Sequence, residues 1–123
     1  MRKYTFPKDE KLTSEKVIQE LFEKGSSFYL YPFKVFFMPH PDQEQRAHQI
    51  LITVSRKLFT KAVDRNQIKR RMREAYRLNK PFPEIPKKLV IAYIYSVKEK
   101  LPAAQLKERL GKTFKRLLNY GEK

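Results

Sequence analysis

Residues 65–77 read RNQIKRRMREAYR. Wound at about 100° per residue, this stretch puts Ile68, Met72 and Ala75 within an arc of about 60°. Asn66, Arg70, Arg73 and Arg77 fill a second arc of about 60°, centred nearly opposite. Arg65 and Lys69 flank the apolar stripe on one side and Arg71 flanks it on the other. A helix here buries the first arc and displays a comb of guanidinium groups on the second. Two apolar runs bracket it. Gln49 to Ser55 sets Ile50, Ile52 and Val54 against Leu51, Thr53 and Ser55, the two-residue period of a strand. Leu89 to Ser96 is apolar almost throughout and of strand length, which predicts a central strand. A strand-helix-strand crossover therefore spans Gln49 to Ser96.

The connections agree. Arg56 to Val63 forms a basic loop, and Asp64 is placed to cap a helix running from Arg65 to about Leu78. Lys80 to Pro86 holds three prolines and reads as a connector. Upstream, residues 1–11 form an extended lead-in. Thr13 or Ser14 caps a helix to about Lys24, stopped by Gly25, with Val17, Ile18, Leu21 and Phe22 as its apolar stripe. Strands follow at Phe28–Tyr31 and Phe33–Met38, with Pro32 marking a break or an edge position. In the longer strand Phe33, Val35 and Phe37 face one side, and Lys34, Phe36 and Met38 the other. Pro102 opens a last helix to about Tyr120, striped by Leu106, Leu110, Phe114, Leu117 and Leu118, before a tail at 121–123. The order α-β-β-β-α-β-α predicts one α+β sandwich over residues 1–123.

Composition limits what such a domain can do. The chain has 123 residues and a formal charge of +15, yet 41% hydrophobic and 13% aromatic content, too apolar for a disordered basic tail. No run approaches the ~20 apolar residues of a membrane span, and the start turns polar too early for a secretory signal. With no cysteine, disulfides and thiolate metal sites are excluded, and a reducing cytoplasm is the expected compartment. The charge is concentrated: residues 56–80 carry ten basic side chains against Asp64 and Glu74. Solvated helix faces usually mix signs, because like charges four apart repel. So one-sided a block points to a polyanion, first of all nucleic acid.

The spacing Arg65-Asn66-x-x-Lys69-Arg70-x-x-Arg73-Glu74 resembles the Arg-Asn-Arg signature of the bacterial ribonuclease P protein component. Val54-Ser55-Arg56-Lys57 and Lys61-Ala62-Val63 sit where that family has a strand end and a basic loop. Phe6-Pro7-Lys8 through Leu12, and the helix ending at Leu21-Phe22 before Gly25, are similar to its N-terminal part. The resemblance covers about residues 6–96. It implies a left-handed strand-helix-strand crossover, which periodicity does not reveal. It also implies a non-catalytic protein subunit, joined 1:1 to a large catalytic RNA. That RNA holds the Mg²⁺ and removes the 5′ leader of precursor tRNA. By position, Arg65, Asn66, Lys69, Arg70, Arg73 and Arg77 would meet the catalytic RNA, joined by Arg56, Lys57 and Lys61. The leader would lie in a cleft between the first helix and the sheet, lined by Ile18, Phe22, Lys34, Phe36, Thr53 and Ser55. The sequence departs from the family at Ile18, where many members have Phe, and at Leu58-Phe59-Thr60, where many have a glycine.

Two other functions compete: an RNA-binding module of a ribosomal or assembly kind, and a self-sufficient nuclease. A two-metal nuclease needs clustered carboxylates, whereas Asp9, Asp42 and Asp64 lie in different elements. His40 and His48 lack the neighbours of a metal or general-base site. Glu74 is expected to pair with a neighbouring cation, Tyr93 and Tyr95 to pack, and Lys112, Lys115 and Arg116 to form a solvated face. Asp64 is read as a cap, with a hydrated Mg²⁺ beside bound RNA as the alternative.

Overall fold

Ser14 starts the first helix, α1 (Glu15–Lys24): its hydroxyl accepts from the Val17 N–H at 3.3 Å, satisfying one free donor of the first turn. Gly25 ends it, donating its N–H to the Leu21 carbonyl at 2.9 Å. The chain turns there so tightly that a Cβ on Gly25 would sit 2.5 Å from the Leu21 oxygen and 3.0 Å from that of Phe37. These features come from a computed structural model, which describes residues 11–44, 48–79 and 88–121. Most of the extended lead-in, the Lys80–Pro86 connector and the last two tail residues lie outside the described residues.

The remaining elements are β1 (Ser26–Leu30), β2 (Phe33–Pro39), β3 (Gln49–Val54), α2 (Ala62–Asn79), β4 (Leu89–Tyr95) and α3 (Ala103–Gly121). This is the α+β order expected. The first strand is displaced from Phe28–Tyr31, because Leu30 pairs with Phe33 and leaves Tyr31-Pro32 as a two-residue turn with a cis peptide bond. α2 begins before Arg65. The Arg65 N–H already donates to the Lys61 carbonyl at 3.2 Å, so Asp64 lies inside the first turn rather than capping it. A carboxylate there still faces the positive end of the helix dipole.

The sheet runs β1-β2-β4-β3, antiparallel except for the β3/β4 pair. The chain leaves β3, forms α2 and returns in β4, parallel beside β3, which is the strand-helix-strand connection read between Gln49 and Ser96. Alternation then divides the sheet into two faces. Phe33, Val35, Phe37, Ile50, Val54, Ile91, Tyr93 and Tyr95 pack under α2 and α3. Those helices supply Ile68, Met72, Ala75 and Tyr76, and Leu106, Leu110, Phe114 and Leu117. On the other face Val90 and Ala92 pack with Leu12 and with Leu21 of α1. Lys11 bridges to Ile50, tying the chain before α1 to β3.

Several buried polar groups are matched, whereas the buried Arg109 Nε has no hydrogen-bond partner among the described residues. The Tyr93 hydroxyl meets Thr113 Oγ1 at 3.0 Å, and burial pushes its pKa up. The Tyr95 hydroxyl donates to the Glu99 carbonyl and accepts from the Leu101 N–H. Both tyrosines are packed, as expected. His40 lies between Gln49 Oε1 at 2.8 Å and the Asp42 N–H at 2.9 Å, while His48 Nδ1 accepts from the Leu89 N–H. These histidines brace the loop and strand ends. The Asn79 amide joins α2 to α3 by donating to the Ala75 and Lys107 carbonyls at 2.8 and 2.9 Å.

Candidate nucleic-acid interface

The comb on α2 divides into engaged and free arginines. Arg70 and Arg73 are exposed, as is Asn66 one turn earlier, and none has a hydrogen-bond or ion-pair partner among the described residues. Arg65 is half-buried, and its Nη1 donates to the carbonyls of Phe59 and Thr60 at 2.8 and 3.0 Å. Arg77 is half-buried against Glu74, Nη2 to Oε1 at 2.7 Å, so the expected partner of Glu74 is found. Lys69 is half-buried beside the core stripe. Arg71, outside the expected set, donates to the Leu101 carbonyl at 2.9 Å and ties α2 to the start of α3.

The loop before α2 adds Arg56, Lys57 and Lys61, all exposed. Its path follows from Phe59, which is buried 5.9 Å from the Tyr95 ring and donates its N–H to the Ser55 carbonyl. That anchor turns the Phe59 and Thr60 carbonyls toward Arg65. Asp64 pairs with Lys100 at 2.6 Å, and the ammonium holds its carboxyl below the usual carboxylate range.

The other candidate surface lies on the α1 face. Register aligns Tyr29, Lys34, Ile94 and Thr53 across the four strands, and Ser27, Phe36, Ala92 and Leu51 in the next row. Phe22 leans from α1 onto Phe36, edge to face, with centroids 4.8 Å apart. Phe22 stays 38% exposed, which leaves ring surface open to a stacking partner. Lys34 Nζ sits 5.6 Å from the Phe36 centroid. Ile18 is half-buried in the α1 stripe, Thr53 is half-buried on β3, and Ser55 lies just past the strand end. The structure thus brings Phe22, Lys34, Phe36 and Thr53 to one face, with Ile18 at the foot of the helix wall. Tyr29, 53% exposed beside Lys34, was not expected there. A two-residue turn at Tyr31-Pro32 would have placed it, since that turn alone fixes Tyr29 opposite Lys34.

Fold and surfaces together define a basic α+β sandwich, with an arginine-rich helix on one side of its sheet and an aromatic, lysine-edged face on the other. The family profile described as Ribonuclease P matches residues 6–118. The chain belongs to the ribonuclease P protein family. A ribonuclease P protein component from Petrotoga mobilis is 39% identical over 82 residues, covering 67% of this chain and 66% of its own. One from Porphyromonas gingivalis is 38% identical over 73 residues, covering 59% and 53%. The chain therefore matches between about half and two thirds of the length of these curated relatives. The RNase P protein from Thermotoga maritima superimposes with a TM-score of 0.71 at 30% identity, covering 87% of this chain and 96% of that one. The Staphylococcus aureus RNase P protein gives 0.71 at 25% identity, covering 87% and 94%.

The resemblance read in the sequence implies Mg²⁺ held by the RNA. Among the described residues no three His, Asp or Glu side chains converge, and the Asp64 carboxylate is engaged by Lys100. These donors do not fit a resident divalent cation.

Proposed function

We propose that this chain is the protein subunit of ribonuclease P, working 1:1 with a catalytic RNA in the cytoplasm. In this reading the RNA carries the phosphodiester hydrolysis with the Mg²⁺ it binds, and the protein does not cut. Asn66, Arg70 and Arg73, with Arg56, Lys57 and Lys61, lie on the catalytic RNA. The 5′ leader of precursor tRNA lies on the face of Phe22, Lys34, Phe36 and Thr53, with Ile18 and Ser55 at its margins. Exposed guanidinium forks match phosphate oxygens two donors to two acceptors. A base stacked on an aromatic ring contributes about 1–3 kcal/mol without demanding a sequence.

One observation carries the reading. Arg70 and Arg73 stand exposed and without an ion partner among the described residues, while the acidic member of their motif, Glu74, is taken by Arg77. Like-charged side chains three apart repel. Such a pair on a helix that also forms the core is accounted for by an anionic partner.

Reconstitution tests it. The protein is mixed with a bacterial ribonuclease P RNA and a 5′-labelled precursor tRNA at low millimolar Mg²⁺, beside RNA-alone and protein-alone controls. Cleavage at the leader junction only in the mixture is the expected result. Binding that leaves cleavage unchanged would make the chain a general RNA-binding module, and cleavage by the pure protein alone would reverse the roles.

A further inference from the structure

The solvent face of α3 is cationic without a reason in the fold. Lys107, Lys112 and Lys115 are exposed, and none has an ion partner among the described residues. Glu108 is the only acidic side chain on the helix. None of the three lysines lies in the last turn, so they do not serve the negative end of the helix dipole. Glu108 is exposed on the same face, so three lysines stand there against one carboxylate.

The face is also shaped. A groove runs between the end of α2 and α3, lined by Asn79, Lys107, Glu108, Gly111, Lys112 and Lys115. A Cβ at Gly111 would lie 2.8 Å from Asn79 Oδ1, so glycine there gives the Asn79 side chain room against α3. A second groove is lined by Arg70, Arg71, Arg73, Glu74 and Ala103, and Ala103 is next in the chain to Ala104 of the first. The free arginines of α2 and the lysines of α3 thus line neighbouring grooves, in which cations outnumber Glu74 and Glu108. Lys107 to Lys115 covers about 12 Å of helix, the length of about three to four phosphates on one duplex strand.

We propose that this α3 groove is a second phosphate-backbone site, which takes a further segment of the RNA seated on α2. The adjacency of this groove to the one that holds Arg70 and Arg73 favours RNA over an acidic protein. The proposal rests on the reading of α2 as an RNA-facing helix, but not on cleavage.

The test is the salt dependence of binding. The full chain and a Lys107→Gln, Lys112→Gln, Lys115→Gln triple variant are titrated onto a bacterial ribonuclease P RNA between low and moderate KCl. Each lost phosphate contact removes about 0.7 to 0.9 from the log–log slope, so the triple variant should lose about 2 to 3. The matching Lys→Arg triple should keep the wild-type slope. An unchanged slope in the Gln triple overturns the site, and so does a loss confined to binding of an acidic protein. Should the triple lose its helical signal, the three single variants decide, each expected to lose about 0.7 to 0.9. Wild-type reconstitution runs in parallel. Stimulated cleavage with an unchanged Gln slope sinks the groove and leaves the subunit reading standing. A flattened slope without stimulation sinks the subunit reading and leaves the groove.

Discussion

Arg65 and Arg70 belong to one motif and do different work. Arg65 holds two loop carbonyls, while Arg70 faces solvent with no partner among the described residues. Arg65→Ala should therefore speed amide exchange across residues 56–61 while the salt slope of RNA binding stays near wild type. Changing Arg70 and Arg73 together to Ala should lower that slope by about 1.4 to 1.8, with the melting temperature held. A slope that fell equally in both variants would return Arg65 to the RNA. On the aromatic face, Phe36→Ala should weaken precursor tRNA binding by about 1–3 kcal/mol and spare mature tRNA, read by competition binding. Equal loss for both would make Phe36 a core residue. Helical periodicity alone placed Arg65 beside the core stripe and Arg70 away from it. It could not show that Arg65 turns onto the loop, because that depends on Phe59 burying itself against Tyr95.

At the scale of elements, turns and caps were harder to read than helices and strands. The crossover and the two faces of β2 follow from alternation, and residue type narrows the α1 cap to Thr13 or Ser14, of which the hydrogen bond to Val17 selects Ser14. The start of α2 does not, since Ala62 and Val63 carry no signal against helix and Asp64 looks like a cap from its type alone. The handover from α1 to β1 is the tightest joint described here. Gly25→Ala should destabilise the fold by about 1–3 kcal/mol through overpacking against two backbone oxygens, measured by urea unfolding. The Asp64–Lys100 pair joins α2 to the segment before α3. Asp64 has a lowered pKa in the fold, so the pair contributes above the unfolded carboxylate range and is lost as pH falls through the folded pKa. In Lys100→Met the Asp64 carboxyl should titrate at higher pH by NMR. No upward movement would mean that Lys100 is not what holds it down.

Across the whole molecule the charge of +15 acts as a reservoir for anions. An anion that binds only the folded chain stabilises it by about 2.7 kcal/mol at a hundred times its Kd. Sulfate should raise the melting temperature more than chloride at equal ionic strength, and less so in the Arg70→Ala, Arg73→Ala variant. Equal shifts in both proteins would place the anions elsewhere. Two distant surfaces meet in one short piece of chain. Thr53, on the aromatic face, and Asn66, at the head of the comb, are separated by a strand end and a loop that Phe59 pins from within and Arg65 laces from outside. That piece works as a splint. On the proposed reading, a leader resting on Thr53 and a catalytic strand resting on Asn66 are held at a fixed offset, and the protein sets the register of one RNA against the other.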